Sequence, residues 1–343
     1  MNNSLSDVAG FLVGHASVPG PNALSGTTVV LAPPGGAVAA VAVRGGGPGT
    51  RETDALDPQN VVERIDAVVL TGGSAYGLDA AAGVMAWLEE QRRGVRVGPE
   101  PHQVVPVVPA ACLFDLGRGG DWRARPDAAV GRAAVEAAAS AGGEVAEGNV
   151  GAGTGAVVGG LKGGVGTASV TLASGATVAA LAVVNAVGSP IDPHNGALYG
   201  EYGHVTDPQM PTPERHLAAQ ARLAAVRTGM PPLNTTLAVV ATDARLTRPQ
   251  AQKLAGTSHD GLARAIRPVH LMHDGDTIFA LAAGSHDSGP GETDKALSPE
   301  ELNHLLAAGA DVVARAIVRG VRAAGSVEGP GGTFPSYGDL YGS

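Results

Sequence analysis

The chain has 343 residues, of which 44% are hydrophobic but only 3% aromatic, and its formal net charge is -9. That length fits one large domain, and the 51 glycines with few aromatic residues indicate a closely packed core of Ala, Val and Leu. The negative charge and the lack of a Lys/Arg-rich run exclude a nucleic-acid partner, because binding to a phosphate backbone depends on cationic contacts.

No apolar run approaches the length of about 18 residues that a membrane span needs, so we expect a soluble, cytoplasmic protein with no membrane partner. The single cysteine, Cys112, lies in the apolar run VVPAACLFDL and is expected to be a packed, unreactive thiol.

In chain order, short β-type runs alternate with Ala-rich helical runs. TTVVLAP and AVAAVAV predict strands, and Gly77 to Gln91 predicts the first helix. Pro126 to Ala141 and Pro213 to Thr228 predict helices on either side of a hairpin formed by ASVTLA and TVAALAVV. The C-terminal third predicts a strand (TTLAVVATDA), a helix from Thr247 to Ala265, a strand (DTIFALAA) and a helix from Ser298 to Ala323. The pattern is typical of an α/β protein.

The proline-rich segment from Gly188 to Pro232 is predicted to be surface loop outside its central helix. His194, His204 and His216 lie in this segment without the i, i+4 spacing or the paired cysteines of a metal site. They are interpreted as solvated loop histidines. We therefore expect no metal and no other cofactor.

Three motifs resemble known binding or catalytic sequences but lack the neighbouring residues that each of those sites requires. GAGTGA, from Gly151 to Ala156, is not followed by a helix or by an acidic residue at the distance that a dinucleotide site requires. Lys162 lacks the G-K-[ST] order of a phosphate-binding loop. GGSAYG, from Gly72 to Gly77, would need glycine at position 76 to form a serine-hydrolase elbow.

Asn234 and Thr235 lie where the loop GMPPL meets an apolar β-type run, which would hold a hydroxyl at the mouth of a rigid sheet. Attack of the Thr235 hydroxyl on the Asn234 carbonyl would give an ester through an N-to-O acyl shift, and water could hydrolyse that ester. The freed α-amine, with an ordinary pKa of about 7.7 to 8.0, could then act as the base for its own hydroxyl. The residue pattern alone does not single out Thr235 among the threonines.

Such a nucleophile needs an oxyanion donor and groups that orient its amine, and polar residues within apolar or glycine-rich runs are candidates. Asn185 ends the run LAVVN, Lys162 is the one charge in a glycine-rich stretch, and Asp274 and Asp276 flank Gly275 ahead of a strand. If that last segment is extended, both carboxylates lie on one face. The same residues could instead be a strand-end cap, a surface charge and turn residues.

The sequence resembles the family of self-processing aminopeptidases and amidases that includes the L-aminopeptidase/D-esterase DmpA, the β-peptidyl aminopeptidases and the nylon-oligomer hydrolase NylC. The similarity spans nearly the whole chain, and its motifs occur in the family's order. They are AVRGGGPGTRETDALDP (42–58), VLTGGSAYGLDAAAGV (69–84), VPAACLFDL (108–116), VGAGTGAVVGGLKGGVG (150–166), VVNAVG (183–188), NTTLAVVATDA (234–244) and HDGDTIFA (273–280).

The resemblance implies a single αββα sandwich domain of the DmpA/ArgJ-like type over residues 1–343 and assembly into homo-oligomers, often tetramers of processed heterodimers. It implies cleavage between Asn234 and Thr235 into chains 1–234 and 235–343 that stay associated. Thr235 corresponds to the family's nucleophile, Asn185 to its oxyanion-stabilising asparagine and Tyr76 to a tyrosine that lines the active site. Lys162, Asp274 and Asp276 match the lysine and paired aspartates of the nylon hydrolase.

Two features differ from the aminopeptidase branch: threonine replaces serine as the nucleophile, and D-G-D replaces a Ser/Glu arrangement. A carboxylate facing the nucleophile could bind a substrate's free amine or hold the Thr235 ammonium. The leading hypothesis is therefore an aminopeptidase or amidase for small peptides or oligoamides that works through an acyl-Thr235 intermediate. The alternatives are an endo-hydrolase of 6-aminohexanoate-type oligoamides, an acyltransferase of the same fold, and an inactive binding homologue.

Overall fold

The computed structural model describes residues 2–202, 210–226, 233–284 and 297–342. Its strands are β1 (Leu12–Ser17), β2 (Gly26–Leu31), β3 (Val38–Val43), β4 (Gly49–Arg51), β5 (Ala67–Thr71), β6 (Val95–Arg96), β7 (Val104–Val105), β8 (Ala110–Cys112), β9 (Val157–Val158), β10 (Leu161–Lys162), β11 (Val165–Thr171), β12 (Thr177–Val183), β13 (Leu237–Thr242), β14 (Thr277–Ala282), β15 (Val327–Gly329) and β16 (Gly332–Phe334). Its α-helices are α1 (Ser74–Gly77), α2 (Ala80–Glu90), α3 (Ala128–Ala139), α4 (Pro213–Ala225), α5 (Arg248–Ala265), α6 (Pro299–Ala323) and α7 (Tyr337–Tyr341).

Two five-stranded sheets form the centre of the fold. The first has the order β1-β2-β5-β8-β4, and the second has the order β11-β12-β13-β14-β3. Each is mixed, with one parallel pair (β5 with β8, and β13 with β14) among antiparallel neighbours. Strands β11 and β12 form the predicted hairpin, in which Val165 pairs with Val183 and Thr171 with Thr177.

The sheets stack face to face, and helices cover the two outer faces. One core lies between the sheets and includes Val30 and Leu70 from the first sheet and Leu181, Val239 and Phe279 from the second. A second core packs α2 and α3 on the first sheet, and a third packs α5 and α6 on the second. Strand β13 alternates between two cores and is buried on both faces. The predicted αββα sandwich is confirmed.

Capping residues explain where the long helices begin. The Thr247 and Ser298 side chains each accept the N–H of the third helical residue, and Gln250 and Glu301 complete the two capping boxes. The helix predicted from Gly77 begins later, at Ala80, after the separate turn α1. Helix α4 is described to Ala225, and the predicted end at Thr228 lies outside the described residues. None of the helices in the described ranges combines the length and apolar character of a membrane span.

The interpretation of the segment after Gly188 as surface loop is wrong for its first part. Ala197 and Leu198 are buried, because Ile191 and Leu198 form a bridge that folds the chain onto the third core. His216 is also buried, and its ring nitrogens bond the Tyr341 hydroxyl and the Pro193 carbonyl, so it is not a solvated loop residue. His194 is exposed and bonds Asp192, and His204 lies outside the described residues.

Candidate active site

Four of the predicted site residues, Asn185, Thr235, Asp274 and Asp276, lie at one end of the central strands of the second sheet. Because β12 is antiparallel to β13, the end of β12 at Val183 lies beside the start of β13 at Leu237. Because β13 and β14 are parallel, Leu237 also pairs with Thr277 at the start of β14. Asn185 follows β12, Thr235 precedes β13, and the Asp274–Asp276 segment precedes β14. The topology therefore brings these three segments together.

The peptide bond between Asn234 and Thr235 is held on both sides. Arg118 Nη2 donates to Asn234 Oδ1 at 2.6 Å, and the Gly275 N–H donates to the Asn234 carbonyl oxygen at 3.3 Å. Beyond the bond, the Thr236 N–H donates to Asp276 Oδ1 at 2.9 Å. Thr235 itself is 5% exposed. The bond is fixed by groups from separate parts of the chain.

Gly275 lies directly against the Thr235 hydroxyl. A Cβ atom on Gly275 would stand 2.6 Å from Thr235 Oγ1 and 2.9 Å from the Gly47 carbonyl oxygen. Since real Cβ contacts do not reach such distances, Gly275→Ala should displace the hydroxyl or the loop. We expect a loss of about 1–3 kcal/mol in the free energy of unfolding and a hydrolytic rate lower by roughly 10- to 100-fold.

Urea denaturation and amide-hydrolysis assays of the Gly275→Ala variant measure both effects. Gly256→Ala is the matched control, because a Cβ at that helical position would meet nothing within 4 Å among the described residues, its own helix backbone and chain neighbours aside. The control should keep full activity and be slightly more stable, since alanine favours a helix over glycine. Equal activity in the two variants would show that the Gly275 contact does not matter.

The Asn185 side chain is oriented by donors on its oxygen. Oδ1 accepts the Val157 N–H at 3.0 Å and Arg118 Nη1 at 2.6 Å, and this fixes which end of the amide is oxygen. Within the described ranges, the hydrogen-bond partner of Nδ2 is the Phe114 carbonyl, at a long distance of 3.5 Å. The side chain is completely buried. The amide NH2 is thus the end left with donor capacity, as an oxyanion donor requires.

The paired aspartates have different surroundings. Asp276 is fully engaged: besides the Thr236 N–H, it accepts the His270 N–H and lies 2.8 Å from His270 Nδ1. Asp274 Oδ2 accepts the Leu271 N–H at 2.7 Å, whereas its buried Oδ1 has no partner in hydrogen-bond geometry among the described residues. Burial raises the pKa of Asp274, and the negative charge of Asp276 raises it further. The Leu271 and Val187 N–H groups act in the opposite direction and lower it. Asp274 is therefore the carboxylate with free acceptor capacity.

The glycines of the AVRGGGPG motif allow the chain to pack against this aspartate segment. A Cβ on Gly45 would lie 2.2 Å from the Asp274 carbonyl oxygen, so only glycine fits there. Gly47 N donates to that same oxygen at 2.8 Å, and Arg44 N donates to the Asp276 carbonyl at 3.0 Å. The motif thus holds the backbone of both aspartates in place.

Lys162, Arg118 and Asp115 form a buried charged cluster behind Asn185. Lys162 Nζ donates to the Gly153 and Gly163 carbonyls at 2.8 and 2.6 Å, and burial lowers its pKa to about 7. Burial also raises the pKa of Asp115 to about 6, although the Gly73 N–H and the Arg118 charge oppose this. The reading of Lys162 as a surface charge is wrong, because its side chain is completely buried.

The Lys162 pKa makes stability depend on pH. The pKa of Lys162 is about 7 in the folded protein and 10.5 in the unfolded chain. At pH values between these two, the unfolded chain binds a proton that the folded protein does not. The free energy of unfolding is therefore expected to rise with pH across this window, by at most about 1.4 kcal/mol per pH unit. Urea titrations between roughly pH 7 and pH 9 test this, since Cys112, with an ordinary pKa of 9.0, gives an opposite slope only above that range. Lys162→Met should remove the slope, and an unchanged slope in that variant would contradict the assignment.

A cavity of about 810 Å³ opens beside Asn234. Its walls combine apolar and polar groups, and Arg118, His216 and Arg267 are the residues with basic side chains among the described residues that line it. Tyr76, predicted to line the site, is not among the described lining residues; it is 57% exposed, with the Arg125 guanidinium 3.9 Å above its ring. Within the described ranges, no three His, Cys, Asp or Glu side chains lie close enough together to hold a metal ion.

Arg118 is the site residue that the sequence analysis missed. It donates to Gly155 O as well as to both asparagines, and so connects the glycine-rich loop with Asn185 and Asn234. It is 7% exposed. The criterion that selected Lys162, a charge within an apolar or glycine-rich run, applies equally to Asp115 and Arg118 in CLFDLGRGG and would have found both.

The family model described as "Peptidase family S58" matches residues 3–334. The chain belongs to peptidase family S58. It is 48% identical to a Mycobacterium tuberculosis protein named "uncharacterized aminopeptidase", over 99% of this chain and 98% of that protein. It is 32% identical to the 6-aminohexanoate-oligomer endohydrolase of Kocuria sp. (strain KY2), over 82% of this chain and 75% of that protein.

Solved structures show the same fold for this S58 peptidase. A Burkholderia sp. beta-aminopeptidase superposes with a TM-score of 0.72 at 25% identity, covering 99% of this chain and 92% of that one. The L-aminopeptidase D-Ala-esterase/amidase of Ochrobactrum anthropi, whose fold is described as a variant of the Ntn hydrolase fold, superposes with a TM-score of 0.71 at 24% identity, covering 98% and 91%. The predicted relation to the DmpA and NylC family is confirmed. This S58 protein is a peptidase or amidohydrolase with an N-terminal-nucleophile (Ntn) hydrolase fold.

Proposed function

We propose that this S58 peptidase cuts its own chain between Asn234 and Thr235 and then hydrolyses small amides with Thr235 as its N-terminal nucleophile. The observation that carries the proposal is the way the Asn234–Thr235 peptide is held. Arg118 holds the Asn234 side chain, the Gly275 N–H lies on the carbonyl that would be attacked, and Asp276 holds the Thr236 amide. A structural turn has no need of a polarised carbonyl beside a buried hydroxyl.

Self-cleavage begins with attack of Thr235 Oγ1 on the Asn234 carbonyl carbon. The Gly275 N–H stabilises the negative charge that develops on the carbonyl oxygen. The C–N bond then breaks, the Thr235 nitrogen takes up the proton that the hydroxyl lost, and an ester joins the two chains. Hydrolysis of the ester leaves a carboxylate on Asn234 and a free amine on Thr235.

In the mature enzyme the amine of Thr235 serves as the general base for its own hydroxyl. The hydroxyl attacks the substrate amide to give an acyl-Thr235 intermediate, and water releases the acid. Asn185 Nδ2 is the proposed oxyanion donor, because its Oδ1 is already engaged by Arg118 and Val157. Asp274 Oδ1, which has no partner in hydrogen-bond geometry among the described residues, is suited to hold an ammonium, either that of Thr235 or that of the substrate.

Lys162 acts as a positioning residue in this scheme. Its amino group donates to the carbonyls of Gly153 and Gly163, on either side of the segment whose Val157 N–H orients Asn185. The resemblance adds two points to the proposal: Tyr76 lines the active site, and the protein assembles into a homo-oligomer of processed heterodimers. The proposed substrates are small peptides or oligoamides, in keeping with relatives named aminopeptidase and 6-aminohexanoate-oligomer endohydrolase.

The test is an assay of the purified protein with alanine p-nitroanilide and with a 6-aminohexanoate oligomer. Amide hydrolysis of either supports the proposal, and the preferred one separates an aminopeptidase from an oligoamide endo-hydrolase. Product analysis with an added amino-acid amine acceptor separates hydrolysis from acyl transfer, since an acyltransferase would give mainly the new amide and a hydrolase mainly the free acid. If the fully cleaved chain hydrolysed no amide, the remaining hypothesis would be that the protein is an inactive binding homologue.

A further inference from the structure

The cavity beside Asn234 is lined by more basic than acidic side chains among the described residues. None of the described residues that line it is an Asp or Glu, whereas two arginines, Arg118 and Arg267, are present. The Arg118 guanidinium is already engaged by Gly155, Asn185 and Asn234. His216 uses both ring nitrogens. Arg267 is therefore the cation in this cavity that needs to be explained.

Arg267 is held in the cavity wall by its backbone. Its N–H donates to the Ser189 carbonyl at 2.9 Å, and the Ser189 N–H donates to the Arg267 carbonyl at 2.8 Å. Gly188 makes this approach possible, since a Cβ there would lie 1.8 Å from the Pro268 carbonyl oxygen. The backbone of Arg267 thus has a fixed position relative to the segment that leads from Asn185.

The side chain of Arg267 is oriented but unpaired. Its guanidinium carbon lies 4.3 Å from the centre of the Tyr199 ring, and Tyr199 also lines the cavity. A contact with the ring face is not a conventional hydrogen bond, so N–H donors of the guanidinium remain available in the fork geometry that matches a carboxylate. Among the described residues, no carboxylate or carbonyl accepts from this side chain.

We infer that Arg267 binds the terminal carboxylate of the substrate, which makes short peptides with a free C-terminus the preferred class. The inference rests on the proposed function and names the substrate class of that site. Ser189 is four residues from Asn185, and an extended segment of that length spans at most about 14 Å. The carboxylate recognised by Arg267 is then within a few residues of the scissile amide, as in a dipeptide or tripeptide. The apolar walls, which include Ile191, Leu223 and Phe334, suit an apolar side chain on the leaving residue.

The kinetic test compares Ala-Leu with Ala-Leu amide, following the release of alanine by the processed protein. The expected result is that kcat/KM for the free acid exceeds that for the amide by about 2- to 5-fold, because Arg267 is exposed and solvent weakens an ion pair at an exposed arginine. Arg267→Ala should remove this preference mainly through KM and leave the amide within about twofold. Arg267→Lys should recover only part of it, because an ammonium lacks the planar fork. Arg264→Ala, at an exposed residue of α5 that pairs with Asp311, is the matched control and should behave as the parent.

A binding test does not depend on hydrolysis. Calorimetry should show that N-acetyl-leucine binds the parent more tightly than its amide does, and that Arg267→Ala loses this difference. Equal binding of acid and amide, or acid binding unaffected by Arg267→Ala, would overturn the inference even if the protein hydrolyses peptides. If acid binding depends on Arg267 but no alanine is released, the carboxylate site stands and the proposed hydrolytic function fails.

Discussion

Replacing Thr235 with alanine is expected to abolish amide hydrolysis, lowering the rate by at least about a thousand-fold. In the proposed mechanism, the variant lacks both the hydroxyl that forms the acyl intermediate and the self-cleavage that frees the α-amine. Its fold should survive, because the bonds that hold the neighbouring residues come from Arg118, Gly275 and Asp276 and do not involve the Thr235 side chain. Hydrolysis of a small amide and the circular dichroism spectrum measure the two properties.

Thr235→Ser separates loss of the hydroxyl from other effects of substitution. Serine keeps the nucleophilic oxygen and should retain measurable cleavage and hydrolysis, although removal of the buried methyl group loosens its position. Thr257→Ala, which removes a hydroxyl that bonds carbonyls of its own helix, is the control for a threonine far from the site. Full hydrolytic activity in Thr235→Ala would show that another residue is the nucleophile.

Replacing Arg118 with alanine is expected to lower the free energy of unfolding by about 3–5 kcal/mol, the cost of breaking a buried charged network. Asn185 Oδ1, Asn234 Oδ1 and Gly155 O would lose a donor, and the buried Asp115 would lose the positive charge beside it. Self-cleavage and hydrolysis should slow by at least about 100-fold, because neither asparagine keeps its orientation. Thermal unfolding and a time course of cleavage after synthesis measure these effects.

Arg118→Lys keeps the prediction testable if the alanine variant does not fold. Lysine restores a positive charge beside Asp115 but cannot bridge two amides with a planar fork, so the fold should be kept while cleavage stays slow. Arg123→Ala, at an exposed arginine of the same loop, should be indistinguishable from the parent. Normal cleavage in Arg118→Lys would mean that Arg118 only balances charge and does not orient the scissile peptide.

Much of the architecture could be predicted because local signals carried it. The capping boxes at Thr247 and Ser298 locate the starts of α5 and α6, and the apolar runs locate β12, β13 and β14. Strand β5 was not predicted, although its apolar run, Ala67–Thr71, is buried along its whole length like those of β12, β13 and β14. A short continuous apolar run does not by itself distinguish a strand from a buried helix segment. The burial of the chain near Leu198 was also missed, because it depends on tertiary packing against the core of α5 and α6.

Residue types at the candidate site could be predicted better than their partners. Lys162, Asn185, Asp274 and Asp276 are polar residues within apolar or glycine-rich runs, and all four are buried. The contacts of Arg118 with Asn185 and Asn234 join residues 67 and 116 positions apart, so no local sequence pattern predicts these contacts. The different surroundings of Asp274 and Asp276 likewise arise only from the fold.

The most direct test of the proposed self-processing is intact-mass spectrometry of the purified protein beside its Thr235→Ala variant. The proposal predicts two fragments from the parent, residues 1–234 and 235–343, that co-purify and meet between Asn234 and Thr235, and one chain of 34.0 kDa from the variant. A single 34.0 kDa chain from an active parent, or fragments that meet elsewhere, would contradict it.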